Sequence, residues 1–107
     1  MKKYEVYWTN PAKRDLIDII NYITLESPTV AEEKFSFIRS ACDSLKQFPE
    51  QGRVIPELSI QNIKRYREVI VSPWRVMYKI EKEAVFVLAV IDGRRNVEDI
   101  LLNRQLR

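Results

Sequence analysis

The chain has no histidine and a single cysteine in 107 residues. Without imidazole, histidine acid–base catalysis, Ser-His and Cys-His nucleophiles and His-metal sites are excluded. One thiol cannot build a zinc cage or an internal disulfide. Cys42 falls inside a helical pattern and reads as a small core residue, which fits a reducing cytoplasm. No apolar run is long enough to cross a bilayer, so no membrane partner is expected. Met1-Lys2-Lys3 leads into alternating polar and apolar residues, unlike a secretory leader. No internal repeat, low-complexity segment or second boundary is present. Residues 1–107 therefore read as one domain, for which neither a cofactor nor a metal is expected.

What is present is ordinary for a globular chain: 46% hydrophobic and 31% charged residues. The net charge of +3 is unevenly spread. Residues 1–60 carry 8 Lys/Arg and 9 Asp/Glu, whereas residues 61–107 carry 10 and 6. The basic half suits nucleic acid or an acidic protein partner.

The chain is organised around residues 66–96. Trp74, Val76, Tyr78 and Ile80 alternate with Arg75, Met77 and Lys79, a period of two that separates an apolar face from a cationic one. Ala84 to Ile91 is apolar throughout and suits a central strand covered on both faces. Tyr66 to Val71 precedes them as a third strand. Ser72-Pro73 and Glu81-Lys82-Glu83 are the connections. The expected object is a sheet with arginines standing out on its polar face.

Ahead of it, Lys3 to Thr9 alternates as a first strand. Asn10 is the expected cap of a first helix, with Pro11 at its first position. Ala12, Leu16, Ile19, Ile20 and Ile23 form one apolar stripe. That helix should end near Ser27-Pro28. Thr29 and Glu32 form an expected capping box for a second helix, whose stripe runs from Val30 through Phe37, Ile38, Ala41 and Leu45 to Phe48 before Pro49. The short link implies an antiparallel hairpin covering one sheet face. Pro49 to Arg53 is a turn, and Val54 to Ile63 reads as an ordered loop. Val97, Ile100 and Leu101 suggest a short C-terminal helix. The fold class is α+β, in the order β-α-α-β-β-β-α, with a small, mostly antiparallel sheet.

These residues resemble the RelE/ParE superfamily of type II toxin–antitoxin toxins. The resemblance rests on Pro11 to Leu16, Phe48 to Arg53, Trp74 to Tyr78 and Val90 to Asn96, in that order. It implies a toxin neutralised by a cognate, acidic antitoxin that folds on binding. RelE-like members cut messenger RNA on the ribosome; ParE-like members poison DNA gyrase. Arg75 matches the arginine of the family's strand motif, and Arg95 the cation after the last strand. Where a RelE-like chain carries a C-terminal tyrosine or histidine, this one has Leu101 or a neighbour. That departure, and the Pro-x-x-Gly-Arg turn, favour the ParE-like branch. The alternatives are a ribosome-dependent mRNA endonuclease and a non-toxic binding partner.

Metal-free RNA cleavage needs a base for the 2′-hydroxyl, an acid for the 5′-oxygen and cations around the phosphorane. Arginine serves only the last role. Arg67, Arg75 and Arg95 are the catalytic candidates under the RelE-like reading, with Glu68 as a candidate base and Lys79 as a proton carrier only if its pKa is strongly depressed. Arg75, Lys79, Arg94 and Arg95 are the target-binding candidates. A solvated strand face and ion pairs of Arg94-Arg95 with Asp92, Glu98 and Asp99 are the plainer explanations. Phe35, off the second helix's stripe, and Trp74 are the antitoxin-binding candidates, although Trp74 and Tyr78 also read as core. Tyr4, Tyr7 and Tyr66 show no aromatic–basic interleaving in sequence, which argues against base stacking.

Overall fold

The computed structural model describes residues 3–104. The elements are β1 (Glu5–Trp8), α1 (Asn10–Thr24), α2 (Pro28–Ser44), β2 (Arg53–Val54), α3 (Pro56–Ser59), β3 (Tyr66–Val71), β4 (Trp74–Glu81), β5 (Ala84–Asp92) and α4 (Val97–Asn103). The five strands form one sheet in the order β1-β5-β4-β3-β2. β1 runs parallel to β5, and the other neighbours are antiparallel. The chain is an α+β protein with a helical hairpin on a mostly antiparallel sheet, as the alternation implied.

Val30, Phe37 and Phe48 of the expected second-helix stripe are exposed, whereas α1 and α2 pack on one sheet face through a few apolar positions each. Ala12, Ile38, Cys42, Trp74, Val76, Val87 and Val90 meet there. Burial pushes the Cys42 thiol up to about 12, with Asp43 adding to the effect, so it is a neutral packing group at pH 7. β5 is central, as its unbroken apolar run suggested. Its alternating side chains serve both faces, and a bulge interrupts its ladder with β4: Met77 lies opposite Ala89 but Tyr78 opposite Val87, leaving Leu88 as the extra residue.

The opposite face is not left to water. Residues 54–63, expected as a loop, contain the end of β2 and the short helix α3. Leu58 of α3 and Val97 and Leu101 of α4 close over Tyr66, Met77, Ala89 and Ile91 in a second core. Met77 is fully buried, although its strand position had placed it among outward cations. A four-residue helix leaves too little periodicity to detect in sequence.

The helix ends also differ from the expected caps. Thr9 precedes α1 and gives no side-chain cap, while Asn10 is already helical. Ser27, not Thr29, caps α2 by accepting the Val30 N–H at 3.2 Å. α1 ends at Thr24 and α2 at Ser44, each short of its proline boundary.

β1 pairs with β5 only as far as Trp8 and Val87. Further along β5, Asp15 Oδ2 of α1 accepts the Val90 N–H at 3.0 Å. The same carboxylate receives both guanidinium nitrogens of Arg104 at 2.8 and 2.6 Å, tying the end of α4 to α1.

Candidate functional site

Arg75 lies on β4 on the face away from the hairpin, directly opposite Ile70 of β3. It is 8% exposed, so it does not stand out in solvent as the strand alternation suggested. Its Nε donates to Glu68 Oε1 at 2.7 Å, and its two terminal nitrogens donate to the Glu57 carboxylate at 2.9 and 2.6 Å. Glu68, with no exposed side-chain surface, also receives Arg53 Nε at 2.7 Å. Two guanidinium groups thus face two carboxylates, and no buried side-chain polar atom among the described residues lacks a partner. The hydrogen bonds that Arg75 donates to Glu57 and Glu68 hold its proton more tightly than usual, against the effect of burial. The Arg75 hydrogen bond likewise holds Glu57 below the usual carboxylate range. The corrected picture is a buried, neutralised arginine that holds α3 against β3 and β4.

Arg67 does not share a face with Arg75. It sits opposite Tyr78, on the hairpin side, and its Nη1 donates to the Gly52 carbonyl at 2.8 Å. Tyr78 is fully buried and secures the same turn. Its hydroxyl donates to the Pro49 carbonyl at 2.7 Å and accepts the Gly52 N–H at 3.0 Å. Burial raises the Tyr78 hydroxyl above its ordinary pKa, so it remains a neutral donor.

Lys79 shares the Arg75 face, but its ammonium is 3.0 Å from Glu81 and 5.7 Å from the Phe86 ring centroid. Arg94 is exposed and folds back on Asp92 at 2.6 Å. Its side-chain and backbone hydrogen bonds bring Asp92 down to about 2. Arg95 is exposed and lines a small cleft with Asp15, Asp18 and Arg104, between α1 and α4. The catalytic candidates Arg67, Arg75 and Arg95 therefore do not assemble: one faces the hairpin, one is sealed under α3 and one borders α1. Glu68, weighed as a base, has both oxygens occupied by guanidinium donors.

Trp74 is 8% exposed and packs in the core under the hairpin, so it offers little side-chain surface to a partner. Phe35 is 37% exposed. It borders a groove of about 380 Å³ whose apolar walls are Trp8, Leu16, Ile17 and Phe35. Lys13 and Arg39 stand on its rim with Asp43. Phe35 lies off the expected α2 stripe, yet Phe37, expected on that stripe, is the more exposed of the two at 51%. Nothing in sequence paired Phe35 with Trp8 or Lys13, because that pairing arises from how α1 crosses α2 beside β1.

Among the described residues no helix is long and apolar enough to cross a membrane. A toxin called RelE2 from Caulobacter vibrioides is 30% identical over 91 residues, covering 85% of this chain and 97% of its own length. ParE3 of the same organism is 30% identical over 90 residues, covering 83% and 86%. In three dimensions the chain resembles a protein of the chromosomal ParDE toxin–antitoxin system of P. aeruginosa, with a TM-score of 0.69 and 20% identity over 86% of this chain and 98% of that one. It also resembles a chain of the RelBE2 toxin–antitoxin complex of Mycobacterium tuberculosis, with a TM-score of 0.57 and 21% identity over 86% and 93%. Residues 6–97 match the family described as the ParE toxin of the type II toxin–antitoxin system parDE. The helical hairpin, the five-stranded sheet and this match together make the chain a member of the ParE toxin family, within the RelE/ParE superfamily of type II toxins.

Proposed function

We propose that this toxin acts on DNA gyrase by binding, without cutting RNA, and that a cognate antitoxin silences it. The observation that carries this reading is the state of Arg75. A cation that stabilises a phosphorane must offer free donors to the phosphate. Arg75 spends three of its N–H groups on Glu57 and Glu68. Arg67 is turned toward backbone carbonyls on the other face. With no histidine in the chain, proton transfer at pH 7 has no ready carrier beside them.

The antitoxin reading rests on the groove beside Phe35. Its walls are apolar and its rim carries Lys13 and Arg39 against Asp43. An acidic, amphipathic segment that folds on contact would bury the aromatic wall and pair with the cations. Such a segment acts in the cytoplasm, where toxin and gyrase meet.

Inducing the chain alone in a bacterium tests the target. DNA breaks that appear early with intact transcripts support the gyrase reading. Rapid, codon-phased transcript cleavage overturns it in favour of the RelE-like endonuclease. Normal growth with folded protein overturns both and leaves a binding partner that is not toxic.

A further inference from the structure

The two ends of the helical hairpin carry opposite charge. Lys13 and Arg14 stand near the start of α1, and Arg39 lies on the groove rim toward the end of α2. Residues 15–33 hold the rest of α1, the link and the start of α2, and their only charged side chains are Asp15, Asp18, Glu26, Glu32 and Glu33. Asp15 is engaged by Arg104. The other four are exposed, and among the described residues none of them is held in an ion pair. The link end is therefore acidic on a chain whose net charge is +3.

The same end bears apolar side chains that nothing covers. Ala12, Leu16, Ile19 and Ile23 form the side of α1 turned to the sheet. At about 3.6 residues per turn, Asp18, Asn21, Tyr22 and Leu25 fall on the opposite side. All four are exposed, Tyr22 by 69% and Leu25 by 86%. Ile17, also exposed, joins this side to the wall of the Phe35 groove. A tyrosine and a leucine one turn apart, flanked by free carboxylates, make an unpartnered helix face.

Charge decides the occupant. A second copy docking by a two-fold contact sets acidic end on acidic end, and nucleic acid or an anionic membrane is repelled in the same way. The acidic antitoxin suits the cationic end of the hairpin. What fits here is a protein surface with cations around an apolar patch. We propose that this face of α1, centred on Tyr22 and Leu25, docks the toxin on a basic surface of gyrase. This docking rests on the gyrase reading and names its surface. A DNA-handling enzyme lines its DNA path with lysine and arginine, and an acidic helix face fits beside that path. Tyr22 and Leu25 supply the desolvated centre of the contact, while Asp18 and Glu26 steer the encounter from its rim. Antitoxin and target then take opposite ends of one hairpin.

Purified gyrase is passed over the immobilised full chain at low and high salt, and DNA breaks made by gyrase on a plasmid are scored in parallel. The wild-type chain should bind more tightly at low salt. Tyr22→Ser and Leu25→Ser should each weaken binding about tenfold, as expected for truncation of a central anchor, and DNA breaks should fall in step. Asp18→Lys combined with Glu26→Lys should slow association and flatten the salt dependence. All four positions stand in solvent, and an unchanged circular dichroism melt reports that the variants fold. Unchanged affinity in all these variants, beside a wild type that binds gyrase, overturns the proposal and leaves the gyrase reading standing. A wild-type chain that neither binds gyrase nor raises breaks overturns the gyrase reading, and the docking with it. A wild-type dimer in analytical ultracentrifugation that Leu25→Ser dissolves gives the face to a second copy and also overturns the proposal.

Discussion

The Tyr78 hydroxyl and the Gly52 amide are 3.0 Å apart, and a Cβ on Gly52 would lie 2.6 Å from that hydroxyl and 2.6 Å from the Glu68 carbonyl. The turn at 49–52 is glycine-dependent because backbone and ring approach it from two sides. Gly52→Ala should therefore destabilise the fold strongly, and Tyr78→Phe should not rescue it, since the Glu68 carbonyl cannot move aside. Tyr78→Phe alone leaves the Gly52 N–H and the Pro49 carbonyl without that partner. It should cost about 1–3 kcal/mol, read as a lowered midpoint in urea unfolding.

Arg75→Ala should unfold or strongly weaken the protein, at about 3–5 kcal/mol, because it strands Glu68 and Glu57 as partly uncompensated charges. Glu68→Gln should cost a similar amount by removing the carboxylate shared by Arg53 and Arg75. A double-mutant cycle should show coupling above about 1 kcal/mol. Loss of toxicity in Arg75→Ala must then track loss of folded protein. An Arg75→Ala chain with wild-type thermal stability and no toxicity would instead make Arg75 a target contact.

Acid should loosen the α3 clasp. Glu57 is held below its ordinary carboxylate value of 4.5, chiefly by the Arg75 hydrogen bond, and Asp92 is brought from 3.8 to about 2. Each contributes stability that is complete above its unfolded-state value and is lost as pH falls through the lower folded-state value. The melting temperature should therefore fall between about pH 5 and pH 2. Glu57→Gln should be less stable at pH 7 and show a shallower acid drop. An identical drop in wild type and variant would place the acid sensitivity elsewhere.

Lys13→Glu and Arg39→Glu should preserve toxicity while weakening neutralisation by the antitoxin, since both cations rim the Phe35 groove and stand in solvent. Phe35→Ser should add to the effect. Each exposed charge is worth about 0–1 kcal/mol alone, so the double reversal is the informative variant. Co-expression survival and a pull-down with the cognate antitoxin read the outcome. Unchanged neutralisation in the double variant would remove the groove from the antitoxin contact.

The lesson of the cationic strand lies in Met77 and Arg75. Alternation correctly assigned both to the face away from the hairpin, with Trp74, Val76 and Tyr78 on the other. It could not report that α3 and α4 return to cover that face. Glu57 is eighteen residues from Arg75 in the chain, in a stretch with no period to mark it. Arg67, one residue out of phase with Glu68, was placed with Arg75 on composition, although strand geometry sends neighbouring residues to opposite faces.

By itself the sequence determined the local terms. Apolar spacing set the helices and strands, prolines bounded the hairpin, the lack of histidine limited the chemistry, and four short segments indicated the family. Tertiary structure decided which charges are free. An ion's availability depends on what packs over it and which partner reaches it. Those partners arrive from distant segments, so Arg75 became a buried clasp while Lys13, Arg39 and Glu26 were left on the surface.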